Sequence, residues 1–305
     1  MESEKIIEIT GLTKKYKELT AVDNLDLTVF RGDVFGFLGP NGAGKSTTIR
    51  MLLSLIKPTS GKINIFGKKL QKHQNEILKN IGAIIEKPDF YTYLSAYDNL
   101  ELFGKLSGAD VSRENITKYL ELVNLAERAK SKVKTFSHGM KQRLGLAQAL
   151  LHDPELIILD EPTTGLDPQG IKEIRDLIIH LSKDLNKTIL LSSHILKEVE
   201  LIANRMIIIN KGKKKVEGFV KDLMNQDSVK VEIEFEENPD IAAVIKNSPW
   251  NDKTETVTTA GISLNISKEE IPEINKWLVG QNCRIVSISS KGSLEDYFLK
   301  ITETS

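Results

Sequence analysis

The chain has 305 residues, 40% of them apolar and 28% charged, and its 42 basic side chains balance 42 acidic ones. This length favours two globular domains, and the composition excludes a disordered chain. The zero net charge argues against a broad basic surface, so we expect no nucleic-acid partner, although local basic patches stay open.

Alternating short strands and helices predict an α/β domain over residues 1–225. Strands are expected over residues 6–10, 25–30, 34–38 and 63–66. A helix follows the third of these strands and ends where proline and glycine occur, near residues 58–61.

A phosphate-binding loop lies between the apolar strand 34–38 and this helix, and it consists of Gly39, Pro40, Asn41, Gly42, Ala43, Gly44, Lys45, Ser46 and Thr47. Its glycines let the backbone fold tightly around an anion, and the following helix presents its positive end. Lys45 places a charge on the terminal phosphates, and the Ser46 hydroxyl can ligate the Mg²⁺ that bridges them. The loop therefore predicts a nucleoside triphosphate site.

Helical periodicity dominates the next stretch, and we expect a helical subdomain over about residues 88–152, with helices over 96–105, 115–125 and 138–151. Strand patterns return over residues 156–159, 188–191 and 205–209, with helices starting near Pro168 and Leu196. The sheet of the first domain is therefore predicted to resume after a helical insertion.

Two carboxylates, Asp160 and Glu161, follow the apolar strand 156–159 directly. Ligands of open α/β sheets bind beyond the carboxyl ends of the strands, so we expect both residues to face the phosphate loop. Successive strand residues point to opposite sides, which allows Asp160 to hold Mg²⁺ and Glu161 to polarise the water that attacks the γ-phosphate. Taken alone, such an acidic pair is more often a helix cap.

The last part of the chain, residues 226–305, has a different pattern. Apolar and charged residues alternate with period two from residue 229. A helix from Asp240, two strands meeting near residue 260, a helix over 268–280, a strand over 284–288 and a helix from Leu294 are expected next. This order predicts a small ferredoxin-like βαββαβ domain of the α+β class.

Three further motifs occur in the same order as in the ATP-binding subunits of ABC transporters, which the chain resembles over roughly residues 5–220. Residues 136–143, Phe-Ser-His-Gly-Met-Lys-Gln-Arg, resemble the family signature. Residues 164–167 resemble the loop after the catalytic glutamate, and residues 191–194 place a histidine after a strand, where the family has its switch histidine. The chain therefore resembles an ABC-type P-loop ATPase with a helical subdomain.

The resemblance implies an ATP hydrolase in which two cassettes close on two ATP molecules and reopen after hydrolysis. It implies that adenine stacks on Tyr16 and that Ser137 and Gly139 donate hydrogen bonds to the γ-phosphate held by the opposite cassette. The resemblance also implies that Gln142 and Asp167 contact the nucleotide. The catalytic residues that it implies are Lys45, Glu161 and His194.

The sequence departs from the family at Glu86, where most members have a glutamine, and at His138 and Met140 in the signature. A carboxylate at Glu86 can bind Mg²⁺ directly, although a surface glutamate paired with Lys87 fits the sequence too. With the second domain, these departures resemble the bacitracin and lantibiotic-immunity branch of ABC-2 type exporters. There a separate integral membrane subunit supplies the pathway, and we expect it to dock on the aromatic stretch 90–94.

The resemblance and the sequence together imply a homodimer of cassettes that is cytoplasmic and peripheral on the cytoplasmic face of the membrane. Residues 1–5 lack the basic and apolar blocks of a signal peptide and no uninterrupted apolar run approaches the length of a bilayer span, so we expect neither in this chain. The alternatives are a general drug or lipid-linked ABC-2 exporter, a non-transport ABC ATPase in translation or DNA maintenance, and a module that senses ATP without hydrolysing it. The complete set of Lys45, Asp160, Glu161 and His194 argues against the last of these.

Overall fold

The computed structural model describes residues 4–224, 229–236 and 241–291. The chain divides into two compact units, Met1–Gly218 and Phe219–Ser305. The domain boundary expected after residue 225 stays a prediction, because residues 225–228 lie outside the described part of the chain.

The first unit alternates strands and helices. Its strands are β1 (Lys5–Tyr16), β2 (Leu19–Phe30), β3 (Val34–Leu38), β4 (Ser60–Ile65), β5 (Lys68–Lys69), β6 (Ile81–Ile84), β7 (Leu156–Asp160), β8 (Thr188–Ser193), β9 (Arg205–Asn210) and β10 (Lys213–Phe219). Its helices are α1 (Lys45–Leu52), α2 (Gln74–Leu78), α3 (Ala96–Ser107), α4 (Arg113–Leu122), α5 (His138–Leu150), α6 (Pro168–Lys183) and α7 (Leu196–Ile202). This alternation confirms the predicted α/β class.

The central sheet of this unit has the strand order β10-β9-β3-β8-β7-β6. Strands β3, β7 and β8 pair in parallel and are buried along their whole length. Such near-continuous apolar runs are typical of parallel strands covered on both faces. Leu38 pairs with Ser193, and Asp160 pairs with Ser192. The register therefore brings the carboxyl ends of these three strands to one edge of the sheet.

A second, antiparallel sheet has the order β2-β1-β4-β5. Strands β1 and β2 are longer than predicted, because register shifts interrupt the period-two alternation of buried and exposed residues in their added parts. Tyr16 is the last residue of β1. The hairpin between β1 and β2 thus determines where this aromatic side chain lies.

Helices α3, α4 and α5 pack against one another in the region predicted as a helical subdomain. Helix α3 begins with a capping box between Ser95 and Asp98 and ends at Gly108, whose φ is +72°. Helix α4 begins two residues before the predicted start, because the Ser112 hydroxyl accepts a hydrogen bond from Asn115 N and caps it. None of the described helices combines the length and apolar character that a bilayer span needs.

The second unit contains, in chain order, α8 (Val220–Met224), β11 (Val229–Phe235), α9 (Ile241–Lys246), β12 (Thr254–Val257), β13 (Gly261–Ile266), α10 (Ile271–Gly280) and β14 (Ile285–Lys291). Its antiparallel sheet has the order β12-β13-β11-β14, as the βαββαβ pattern predicts. The helix predicted from residue 268 begins as a 3₁₀ turn, Lys268–Glu270, and becomes α-helical at Ile271, with Pro272 in the first turn of α10. The helix predicted from Leu294 lies outside the described residues.

Candidate active site

A pocket of about 590 Å³ opens at the edge where β3, β7 and β8 end. It brings together most of the predicted nucleotide residues, namely Tyr16, Asn41, Gly42, Ala43, Gly44, Lys45, Ser46, Thr47, Glu161 and His194. The other lining residues were not predicted, and they are Leu19, Thr20, Ala21, Thr164 and Lys211. Of these five residues, only Thr164 could have been found from the sequence, because it begins the loop 164–167 that follows the predicted acidic pair.

The phosphate loop takes a backbone path that needs glycine. Gly42 and Gly44 have φ of +81° and +108°, in the left-handed region that other residues rarely adopt. A Cβ at Gly44 would also lie 2.4 Å from Ala21 O. Helix α1 starts at Lys45, directly after this turn, so its unpaired N–H groups face the pocket.

The Lys45 ammonium is buried and has three acceptors around it. It donates to Gly39 O at 2.8 Å and to Pro40 O at 3.4 Å, and it lies 3.2 Å from Glu161 Oε1. Gly39 and Pro40 therefore act on the site through their carbonyl groups and do not line the pocket.

Glu161 has a φ of +52°, a conformation that is strained for a residue with a side chain. Its Oε2 accepts hydrogen bonds from His194 Nδ1 at 2.8 Å and from Thr164 Oγ1 at 3.1 Å. Burial by itself raises the pKa of Glu161, but His194 and Lys45 together bring that pKa below its ordinary value. The carboxylate is therefore ionised and held by three neighbouring groups.

Ser192 connects the two carboxylate residues from beneath. Its hydroxyl donates to Asp160 Oδ1 at 2.6 Å and accepts from the backbone N–H of Glu161 at 3.0 Å. Ser192 is fully buried and Asp160 is 2% exposed. Asp160 therefore lies behind Glu161 and does not line the pocket.

The residues around the loop fit a hard cation such as Mg²⁺ that arrives with a nucleotide. Ser46 lines the pocket, and the buried Asp160 is the last residue of β7, directly before Glu161; both side chains are oxygen donors of the type that Mg²⁺ prefers. Among the described residues, no group of three or more His, Cys, Asp or Glu side chains could hold a metal by itself. The donor set therefore fits an ion completed by phosphate oxygens and water.

The predicted signature residues do not line this pocket. Ser137 caps α5 and accepts a hydrogen bond from Met140 N at 3.2 Å. Asp167 caps α6 in the same way through Gly170 N at 3.0 Å. Gly139 lies in the first turn of α5, and Gln142 is buried in the same helix with 3% exposure. Their predicted contacts with nucleotide stay predictions.

Glu86 also lies away from the pocket. Its side chain is 66% exposed and forms an ion pair with Arg50 in the last turn of α1, and not with Lys87 as the alternative interpretation held. The predicted role of Glu86 as a magnesium ligand stays a prediction.

Tyr16 presents its ring at the mouth of the pocket, where it is 44% exposed. Lys14 Nζ lies 4.9 Å from the ring centroid. A flat aromatic ring at this position fits the stacking role predicted for it.

Comparison with known proteins places these features in a family. The ABC transporter family model matches residues 22–164. The bacitracin transport ATP-binding protein BcrA of Bacillus licheniformis is 46% identical over 299 residues, which cover 97% of this chain and 97% of that protein. The lantibiotic transport ATP-binding protein SrtF of Streptococcus pyogenes is 44% identical over 208 residues, which cover 68% of this chain and 88% of that protein.

Solved structures agree with the sequence comparisons. The dimeric structure of a post-hydrolysis state of the ATP-binding cassette MJ0796, bound to ADP and Pi, is 26% identical with a TM-score of 0.64. The match covers 70% of this chain and 98% of that cassette. It extends over a complete cassette and leaves room in this chain for a further unit.

Proposed function

This chain belongs to the ABC transporter family as an ATP-binding and ATP-hydrolysing exporter subunit, and we propose that it powers the export of a peptide antibiotic through a separate membrane subunit. The observation that carries the catalytic part of this proposal is the ionised Glu161 carboxylate, held by His194 and Thr164 opposite the phosphate loop. A carboxylate fixed in this way can orient and polarise a water molecule for attack on a γ-phosphate.

Lys45 and the N-terminus of α1 are the groups proposed to hold the terminal phosphates. The ammonium adds a point charge to the N–H groups of the loop, and both stabilise the charge that develops during phosphoryl transfer. Tyr16 is proposed to stack on the adenine. Ser46 and Asp160 would hold Mg²⁺, which neutralises phosphate charge when it is bound.

Each chain is proposed to supply half of a composite site. Ser137 and Gly139, at the start of α5, do not line their own chain's pocket. The N-terminus of α5 is a natural anion-binding end, so it suits the γ-phosphate bound by a second copy of this chain. The dimeric cassette MJ0796 supports this arrangement by analogy.

The substrate and the location are proposed from the relatives. The likeness to BcrA extends over nearly the whole chain and includes the second unit. We therefore favour a bacitracin-type peptide antibiotic as the exported compound and the cytoplasmic face of the membrane as the location. The exposed rings of Tyr91 and Tyr93, which lie 5.9 Å apart edge to face, are the proposed docking point for the membrane subunit.

The catalytic proposal is tested with Glu161→Gln in the full chain. ATP binding should be retained, while turnover should fall at least about a hundredfold because the amide cannot accept the proton of water. The matched control is Glu155→Gln, since Glu155 precedes the same strand at its other end and forms an ion pair with Arg31. Undiminished ATPase activity of Glu161→Gln would remove Glu161 from the catalytic role.

The transport proposal is tested by co-expression with the membrane subunit in a bacitracin-sensitive cell. Replacing Tyr91 and Tyr93 by alanine should abolish protection against bacitracin and leave basal ATPase activity intact. Leu106→Ala is the control, because Leu106 is an exposed apolar residue, 75% exposed, near the end of α3. Loss of nucleotide binding in the tyrosine variant would count against docking, and full protection by it would contradict the proposal.

A further inference from the structure

The start of the signature helix contacts the turn that follows the catalytic carboxylate of the same chain. His138 is the first residue of α5, and its Nε2 lies 3.2 Å from the backbone carbonyl oxygen of Thr164. A carbonyl oxygen only accepts, so Nε2 carries the proton and donates it. The contact is specific to a long side chain at position 138, because glycine, the residue usual in the family, has no donor to reach the turn.

Thr164 connects this contact to the active site. Its hydroxyl donates to Glu161 Oε2 at 3.1 Å, and its side chain lines the nucleotide pocket. Its backbone N–H donates to the carbonyl oxygen of Glu161 at 3.2 Å, which closes a tight turn. The side chain and the peptide group of Thr164 therefore both determine the position of Glu161.

The turn depends on its neighbours to keep this geometry. Thr164 is exposed, and the next residue, Gly165, has a φ of +78°. Glycine loses much conformational freedom when it is fixed, so a turn that contains it needs contacts that hold it in place. The imidazole of His138 supplies one, at the carbonyl between Thr164 and Gly165.

We propose that His138 and Thr164 are positioning residues that relay the state of the signature turn to Glu161 of the same chain. The inference rests on the proposed function of Glu161 and adds a regulatory link to it. When a second cassette's nucleotide contacts Ser137, beside His138, the relay transmits any movement of that turn to the hydrolysis centre of its own chain. One site thereby adjusts the other through three residues.

The hydroxyl is tested with Thr164→Val, which keeps the branched shape, and with Thr164→Ser, which keeps the donor. In the full chain with saturating Mg²⁺-ATP, we expect Thr164→Val to lower kcat about tenfold and to leave the Kd for ATP within about twofold, because the lost contact orients a carboxylate and binds no substrate. Thr164→Ser should restore kcat to within about threefold of the natural protein. A normal kcat in Thr164→Val overturns the proposal, and equal losses in both variants do so too.

The relay itself is tested with a double-mutant cycle. His138→Ala should lower kcat about threefold, and His138→Gln should restore it, because the glutamine amide presents a donor to the same carbonyl. The variant His138→Ala with Thr164→Val should lose clearly less kcat than the product of the two single losses, since the imidazole and the hydroxyl act through the same turn. Multiplicative losses would show that His138 acts independently, which overturns the relay.

Two controls separate this contact from general effects on folding. His152→Gln and His152→Ala alter the same type of contact, since His152 Nε2 lies 3.1 Å from Ile81 O, but that contact has no connection to Glu161. Thr254→Val removes a hydroxyl that donates to Trp250 O at 2.9 Å in the second unit. Both controls should keep kcat unchanged. If Glu161→Gln stays active, the proposed function fails; if it is inactive while Thr164→Val is normal, only the relay fails.

Discussion

Replacing Ser192 by alanine tests whether one hydroxyl fixes both carboxylate residues. The substitution removes the Ser192 Oγ that lies 2.6 Å from Asp160 Oδ1 and 3.0 Å from the Glu161 nitrogen. Ser192 and Asp160 are buried, so water does not replace the lost partner. A hydrogen bond to a charged group contributes about 1.5–3 kcal/mol and a neutral one about 1 kcal/mol. We therefore expect the free energy of unfolding of the first unit to fall by about 3 kcal/mol.

The two units can be followed separately in a urea titration. Both tryptophans of the chain, Trp250 and Trp277, belong to the core of the second unit, so their fluorescence reports that unit. Circular dichroism is dominated by the larger first unit. Ser192→Ala should shift the dichroism transition and leave the fluorescence transition in place.

Ser193→Ala is the matched control for this prediction. Ser193 is also buried and is next in sequence, but the bonds that its hydroxyl makes within the described part of the chain are both to Ile195 in a local turn, at 2.9 and 3.3 Å. The expected loss is about 1–2 kcal/mol, because both bonds are neutral and the one to Ile195 O is long. Equal destabilisation by the two variants, or a change of less than about 0.5 kcal/mol for Ser192→Ala, would refute the bridging role. ATPase activity should fall only in Ser192→Ala, because only that variant frees Glu161 from its backbone anchor.

Three further predictions concern single positions. Gly44→Ala should weaken ATP binding at least about tenfold while helix content is retained, as measured by equilibrium binding, because a Cβ would meet a backbone oxygen at 2.4 Å and φ is +108°. The ion pair with Lys253 and further hydrogen bonds lower the pKa of Glu270 to about 2, so the stability that it contributes is present above pH 4.5 and is lost as pH falls towards 2. Glu270→Gln should therefore flatten the acid dependence of the tryptophan-monitored transition, and an unchanged dependence would contradict this. Glu86→Gln should change the free energy of unfolding by less than about 1 kcal/mol, since its ion pair is exposed to solvent, and a larger loss would show that this pair does more.

The sequence predicted the fold well where the pattern of apolar residues matches the pattern of burial in the structure. Strands β3, β7 and β8 each contain at least three buried apolar residues, and the sequence located each strand to within two residues. The short elements β5 and α2 escaped prediction, because Lys68–Lys69 and Gln74–Leu78 are mostly polar and exposed and therefore carry no apolar period. Their structure depends on contacts with β4 and β6, which single-sequence patterns do not show.

The candidate site followed from the sequence less evenly. The loop and Glu161 were predicted because their chemistry depends on residue type and local order. Thr20, Ala21 and Lys211 reach the pocket through the hairpin after Tyr16 and the turn between β9 and β10, and only the tertiary packing brings them there. Glu86 could not be placed either, because Arg50 lies 36 residues before it and the sequence gives no sign of their ion pair.

The contacts of Lys45 and Glu161 give the nucleotide a defined effect on the catalytic group. The Lys45 ammonium has three N–H donors, and three acceptors surround it: Gly39 O, Pro40 O and Glu161 Oε1. A terminal phosphate can replace Glu161 Oε1 without breaking the two contacts of Lys45 within the phosphate loop. Once a phosphate takes Lys45, Oε1 loses its cation, whereas Oε2 is still held by His194 and Thr164. The carboxylate is then still held at Oε2, and Oε1 is free to accept a hydrogen bond from a water molecule. On the roles proposed for Lys45 and Glu161, ATP binding and activation of the attacking water are linked through one lysine, before any second cassette takes part.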